Sequence, residues 1–198
     1  HERSRRQRQM CIRDSCYCRN NDAELANDLL KVFEYNNIET RVILDDKCCG
    51  MPKLDLGDLK SVENLMKHNV PKLLQEIDEG FDIISLVPSC VLMFKQELPL
   101  LFDENDDLKK IKQHIFDPFE YLSDRESKGL MNKSFKNSLG KIAYQVACHQ
   151  RVQNIGPKTK ELLEMVPDTE VQAIERCSGH DGTYAVSYTH LRAHETSA

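Results

Sequence analysis

Val42-Ile43-Leu44-Asp45-Asp46-Lys47-Cys48-Cys49-Gly50 carries a short apolar, β-branched run straight into two adjacent cysteines and a glycine. A run of this length reads as a buried strand, and the cysteines then lie where the strand runs out. Neighbouring cysteines are poor disulfide partners: Cα atoms across one trans peptide are about 3.8 Å apart, whereas a relaxed bridge wants roughly 5.5–6 Å. Soft thiolates favour iron–sulfur clusters, zinc or copper(I) instead. The pair therefore reads as part of a thiolate-lined metal site at one edge of a sheet.

Other strand-like runs meet cysteines in the same way. Ile83-Ile84-Ser85-Leu86-Val87 closes on Pro88-Ser89-Cys90, and Ile142-Ala143-Tyr144-Gln145-Val146 leads to Ala147-Cys148-His149. Val171 to Ile174 precedes Cys177-Ser178-Gly179, and Cys16-Tyr17-Cys18 stands before the first helix. That helix carries the apolar stripe Leu25, Leu29, Phe33, with Asn21 and Glu24 spaced as in a capping box. Leu59 to Ile77 marks a long amphipathic helix, which Pro71 is expected to kink or split near Asn69. Residues 103–113 read as a solvated helix or linker, and Asp117-Pro118 as an N-cap with its first-turn proline.

The order cysteine, helix, strand, cysteine-x-glycine occurs twice, with 31 residues between Cys16 and Cys48 and 28 between Cys148 and Cys177. This is an internal repeat of a supersecondary unit. Alternating strands and helices imply an α/β fold with a parallel sheet, its functional rim at the carboxyl ends of the strands. Two similar βαβ-type lobes are expected, 16–129 and a truncated 130–186, with the polar stretch 130–140 between them.

Composition sets the outer limits. The chain has 198 residues, 40% of them hydrophobic, and a net charge of -5, so nothing in its bulk asks for nucleic acid as a partner. The most apolar stretch, Phe81 to Phe94, is broken by Asp82, Ser85, Pro88 and Ser89 and is too short to span a bilayer. No secretory signal with an apolar core is visible, so the eight cysteines are expected in a reducing, cytoplasmic setting, free or metal-bound. Residues 1–15 and 187–198 show no apolar periodicity and resemble adapter-derived tails; both are expected to be non-native and unpacked. Without them 21 basic residues stand against 29 acidic, about -8, and Cys11 leaves the set of candidate ligands.

The segments SCYCRNND, KCCGMP, VPSC with FKQELPLL, KIAYQVACH and ERCSGHDGTY together resemble the CCG-repeat cysteine-rich iron–sulfur oxidoreductases. That family includes iron–sulfur subunits of anaerobic glycerol-3-phosphate dehydrogenase (the nearest in likeness), heterodisulfide reductase and glycolate oxidase. The resemblance implies a [4Fe-4S]-type cluster that passes electrons from a flavoprotein dehydrogenase subunit to a quinone or disulfide acceptor. By position it implies Cys16, Cys48, Cys49 and Cys90 as ligands, with Cys148 and Cys177 as the weaker second set. It also implies a ferredoxin-type domain on a missing part of the chain, and a cytoplasmic location or peripheral attachment to the inner face of the membrane. The sequence departs from the pattern implied by the resemblance at two positions, Ser178 for the second cysteine of the second CCG and Met93 for a cysteine that some relatives carry, and the last strand is expected to be missing.

Histidines adjoin the second set. His149 and His180 are candidates as ligands, proton donors to a quinone or orienting groups, against the plainer reading of rim histidines bonded to backbone. Cys18 reads as a packed thiol. A zinc-stabilised scaffold and a heterodisulfide-reductase-like thiol/disulfide oxidoreductase are the alternatives to electron transfer.

Overall fold

The computed structural model describes residues 9–13, 16–43 and 45–176. Cys177, His180 and the segment 187–198 lie outside the described residues, as does the side chain of Cys16.

Four parallel strands form the main sheet in the order β2-β1-β3-β4: β1 is Gln9–Arg13, β2 Thr40–Ile43, β3 Phe81–Ser85 and β4 Ile115–Phe116. The fold is α/β, as expected. The chain leaves β1 through α1 (Cys16–Asn20) and α2 (Glu24–Tyr35) to reach β2. It crosses back through α3 (Met51–Asp55) and α4 (Leu59–Asp78) to β3, on the far side of β1. The reversal of direction about β1 creates a crevice at the carboxyl ends of β1 and β3, the position where open parallel sheets bind ligands.

Side-chain alternation along the strands sends two apolar clusters to opposite faces. Cys11, Phe81 and Ile83 join Val62, Met66, Val70 and Leu73 of α4; Met10, Ile12 and Ile84 join Leu29 and Phe33 of α2 with Tyr121 and Leu122. β3 is buried at all five positions. β2, expected to be a buried strand, lies at the sheet's edge, with Arg41 and Val42 exposed and only Ile43 fully packed.

β1 overturns one expectation. Residues 9–13, assigned above to an unpacked tail, supply the strand between β2 and β3, with Met10, Cys11 and Ile12 wholly buried. The slot is made by its neighbours, which do not pair with each other, and it accepts an apolar run able to hydrogen-bond on both sides. The flanking arginines hide that run from a periodicity reading.

Local chemistry explains most other boundaries. The backbone N–H of Leu25 bonds the Asp22 carboxylate, so Asp22 supports the start of α2 where Asn21 was expected to. α4 runs unbroken through Pro71. Pro88 opens α5 (Pro88–Leu92), which continues through a π-helical stretch at Met93–Glu97 into α6 (Leu98–Leu101). α7 (Asp106–His114) is more than a solvated linker, because Leu108 and Ile111 are fully buried. α8 (Pro118–Ser127) begins with the expected Asp117 cap, a capping box completed by Glu120.

β5 (Gly140–Gln145) and β6 (Thr169–Ile174) form a second, two-stranded parallel sheet, crossed over by α9 (Cys148–Arg151) and α10 (Lys158–Leu163). Leu162 of α10 enters the Phe33–Tyr121 cluster, which joins this unit to the main body. Among the described residues no helix is long and apolar enough to cross a membrane.

Two outcomes follow from this packing. Replacing Met10-Cys11-Ile12 by another apolar, β-branched run should keep the chain folded, whereas deleting Gln9–Arg13 should abolish the cooperative thermal transition followed by circular dichroism. Asp117 supplies the second: burial raises its carboxyl from 3.8 to about 6, with the Glu120 charge adding and the capping N–H groups and Lys95 opposing. The folded state then binds the proton more tightly than the unfolded one, so stability falls as pH rises from about 4 to about 6. The loss amounts to about 3 kcal/mol. Asn caps equally well without a charge, so denaturant titrations of Asp117→Asn should show this fall removed.

Candidate metal centre

Cys48 and Cys49 occupy the loop that follows β2, and Cys90 the first turn of α5 after β3, so both cross the carboxyl edge of the main sheet. Cys49 and Cys90 are almost wholly buried and Cys48 partly so. Cys16 opens α1 directly after β1, which places its backbone at the same edge. The structure thus brings Cys48, Cys49 and Cys90 together at the expected rim.

The thiols do not titrate alike. The Cys49 thiol hydrogen-bonds both Cys48 and Cys90, which together with burial holds its proton well above the ordinary thiol range. Cys90 receives that hydrogen bond and faces the Arg13 guanidinium, and its pKa drops from 9.0 to about 7 against the opposing effect of burial. The Cys49 proton is thus shared in a hydrogen bond to Cys90, and Cys90 is the first of the pair to ionise.

Arg13 is the basic group that sequence reading missed. It is fully buried at the end of β1, stacks 5.1 Å from the Phe94 ring centre and donates to the Lys47 carbonyl. Its Nε lies 3.3 Å from Asp46 Oδ2, and Asp46 is also bound by Arg19 at 2.6 Å. Nε and Nη1 nonetheless lack a well-formed hydrogen bond. A buried cation with spare donors beside thiols suits an anionic group held on those sulfurs.

Gly50 sits at φ +99°, a left-handed conformation that turns the chain from the cysteine loop into α3. A Cβ there would meet Met93 Cε at 3.4 Å and Leu65 Cδ1 at 3.7 Å. Met93, fully buried, thus packs over the turn that follows the two cysteines.

The donor chemistry fits an iron–sulfur group: three thiols at one rim, one of them readily ionised, a fourth cysteine at the start of α1, and a buried arginine to balance negative charge. Among the described residues no three His, Cys, Asp or Glu side chains are arranged around a single metal ion.

Other candidates lie elsewhere. Cys148 is exposed and lines an open pocket of about 300 Å³ with Arg151 and Val152. The His149 carbonyl accepts from Gln153 at 2.8 Å. Cys18 is buried, in keeping with a packed thiol. Cys11 faces the α4 side of the sheet near Glu76, where burial pushes its thiol far up.

The shared proton has a measurable consequence. In iron-free protein, thiolate absorbance should report one cysteine ionising near pH 7, and Cys49→Ala should move it upward toward the ordinary 9.0, because the donor to Cys90 is gone.

The chain is 25% identical over 178 residues to a subunit, designated C, of the anaerobic glycerol-3-phosphate dehydrogenase of Escherichia coli strain K12, covering 89% of this chain and 44% of that protein. It is 26% identical over 159 residues to a subunit, designated B, of the fumarate reductase (CoM/CoB) of Methanothermobacter marburgensis, covering 78% and 29%. It is 28% identical over 145 residues to the lactate utilization protein A of Lysinibacillus sphaericus strain C3-41, covering 70% and 61%. The chain spans under half the length of the first two. No solved structure matches. Residues 11–95, from β1 into the π-helical stretch after Cys90, match the family model described as a cysteine-rich domain and designated CCG.

Proposed function

We propose that the chain is part of an iron–sulfur electron-transfer subunit of an oxidoreductase, similar in role to its relative in anaerobic glycerol-3-phosphate dehydrogenase. The carrying observation is the convergence of Cys48, Cys49 and Cys90 on one edge, with a proton held between two of them. The relatives' names, a dehydrogenase subunit and a reductase subunit, support the same class. In this reading a flavoprotein subunit donates electrons, a quinone accepts them, and the protein works in the cytoplasm or peripherally on the inner face of the membrane.

A [4Fe-4S]-type cluster, when bound, supplies one-electron transfer without movement of heavy atoms. Cys16, Cys48, Cys49 and Cys90 would hold it. The residues around them do the rest: Arg13 faces the sulfurs with positive charge, the Gly50 N–H lies 3.5 Å from Cys48 Sγ, and Met93 and Leu65 cover the turn. Donors to sulfur and a nearby cation favour the more negative, reduced state, and apolar cover limits water. To serve as a ligand, Cys49 would have to give up the proton it holds, which would pass to solvent.

The exposed Cys148, in its pocket with Arg151, favours a second reading in which the acceptor is a disulfide, as in heterodisulfide reductases. Turnover of a small disulfide, lost in Cys148→Ala, would select it over a quinone.

Anaerobic reconstitution with iron and sulfide, followed by iron, sulfide and zinc analysis, tests the main proposal. One cluster per chain is expected. Cys49→Ser should abolish or strongly weaken it, since a serine oxygen is harder and far less acidic. Cys177→Ala should leave iron almost unchanged. Equal loss in both variants would mean that the cluster is shared with the second cysteine set, and a colourless zinc protein would replace electron transfer by scaffolding.

A further inference from the structure

Asn69 is a buried polar residue on the packed face of α4, 1% exposed among Val62, Met66, Val70 and Leu73. An unpaired amide there would be costly. Its Oδ1 accepts from the Lys47 N–H at 2.8 Å, and its Nδ2 donates to the Lys47 carbonyl at 3.2 Å and the Cys48 carbonyl at 3.0 Å. One side chain thus pairs both backbone groups of Lys47, as a neighbouring strand would, and then grips the next carbonyl as well.

The segment it grips, residues 46–49, has no regular structure of its own. Backbone groups buried in such a loop need partners from elsewhere. α4 supplies them along one face: one turn of helix brings His68 Nε2 to the Asp45 carbonyl at 2.9 Å and Lys72 to the Asp45 carboxylate at 2.5 Å, beside Asn69. His68 and Lys72 act at the more exposed end of the loop, and Asn69 acts at the cysteines. Because a peptide unit is planar, with N–H opposite C=O, anchoring the Cys48 carbonyl to α4 turns the Cys49 N–H away from α4 and fixes the plane joining the two cysteines.

We propose that Asn69 is the positioning residue of the cysteine pair: its three hydrogen bonds to Lys47 and Cys48 set the peptide planes that aim Cys48 and Cys49 at the rim where Cys90 waits. The consequence for iron rests on the proposed function; the consequence for the thiols does not.

The test begins with iron-free protein. Asn69→Asp keeps an acceptor for the Lys47 N–H but sets a carboxylate oxygen against two carbonyls, and Asn69→Leu removes all three bonds at similar volume. Both variants should raise alkylation of Cys48 and Cys49 by iodoacetamide about tenfold relative to Cys148, mapped by peptide mass spectrometry. Leu162→Ala, which weakens packing on the opposite sheet face, controls for general loosening and should leave that ratio unchanged. After anaerobic reconstitution, the Asn69 variants should surrender iron to a chelator about tenfold faster than the parent protein and show an altered visible spectrum. Alkylation ratios no higher than in Leu162→Ala would overturn the role of Asn69. A parent protein that takes up no iron, with the alkylation pattern as expected, would overturn the iron–sulfur reading and leave Asn69 as the organiser of the thiol pair.

Discussion

The hydrogen bond between Cys49 and Cys90 joins residues far apart in sequence, and it requires that β2 and β3 deliver the chain to the same edge of the sheet. Parallel pairing on both sides of β1 achieves this. Were one of the two antiparallel to β1 and the other parallel, β2 and β3 would end at opposite edges, and the two thiols would stand a strand's length apart. The burial of the sheet follows from the same requirement, because parallel strands need crossovers and the crossover helices cover both faces. The buried thiols, their displaced pKa values and the turn at Gly50 all rest on that topology.

Where the sequence carried its signal in side-chain pattern, the fold was legible. Ile83-Ile84-Ser85-Leu86-Val87 is apolar enough to announce a buried strand, which forms two residues earlier, at Phe81–Ser85, and Asp117-Pro118 announces a helix start whose capping box is formed with Glu120. Where the outcome depended on neighbours, it was not. Val42 and Ile43 look as buried as Ile83 and Ile84, yet only sheet order decides which strand is the edge. Met10, Cys11 and Ile12 are too short an apolar run to stand out beside five arginines in the first fifteen residues. Ile115–Phe116 is two residues long, below what periodicity can register.

The site divides in the same way. Cysteine spacing pointed to Cys48, Cys49 and Cys90 because thiolate chemistry restricts which residues can do the work. Arg13 and Asn69 escaped notice because their roles come from contacts across the sheet and between helix and loop. A lone asparagine two positions before Pro71 reads as a helix interruption, yet α4 continues, and the amide is occupied by backbone from another element. Buried polar side chains are decided by partners, which a single sequence does not display.

The second sheet touches the first at a telling place. Gln153, buried just beyond α9, donates to the Pro88 carbonyl at 3.0 Å, and Gln96 donates to the Val152 carbonyl at 3.3 Å. Pro88 is the first residue of α5, two positions before Cys90, so the cysteine-bearing turn of one sheet is braced by the helix that carries Cys148 in the other. The two strand pairs are built alike: β1 and β5 are each followed by a helix that opens on a cysteine, Cys16 or Cys148, and each pairs in parallel with the next strand. Their surroundings differ sharply, since β1 is enclosed between two strands while β5, among the described residues, pairs with β6 alone and has exposed alternate residues. The enclosed pair gathers thiols in a low-dielectric setting where a shared proton and a nearby guanidinium act strongly. The open pair leaves Cys148 in contact with solvent. Fixed and accessible thiols are thereby kept on separate sheets while two glutamines, Gln153 and Gln96, tie the segments that bear them.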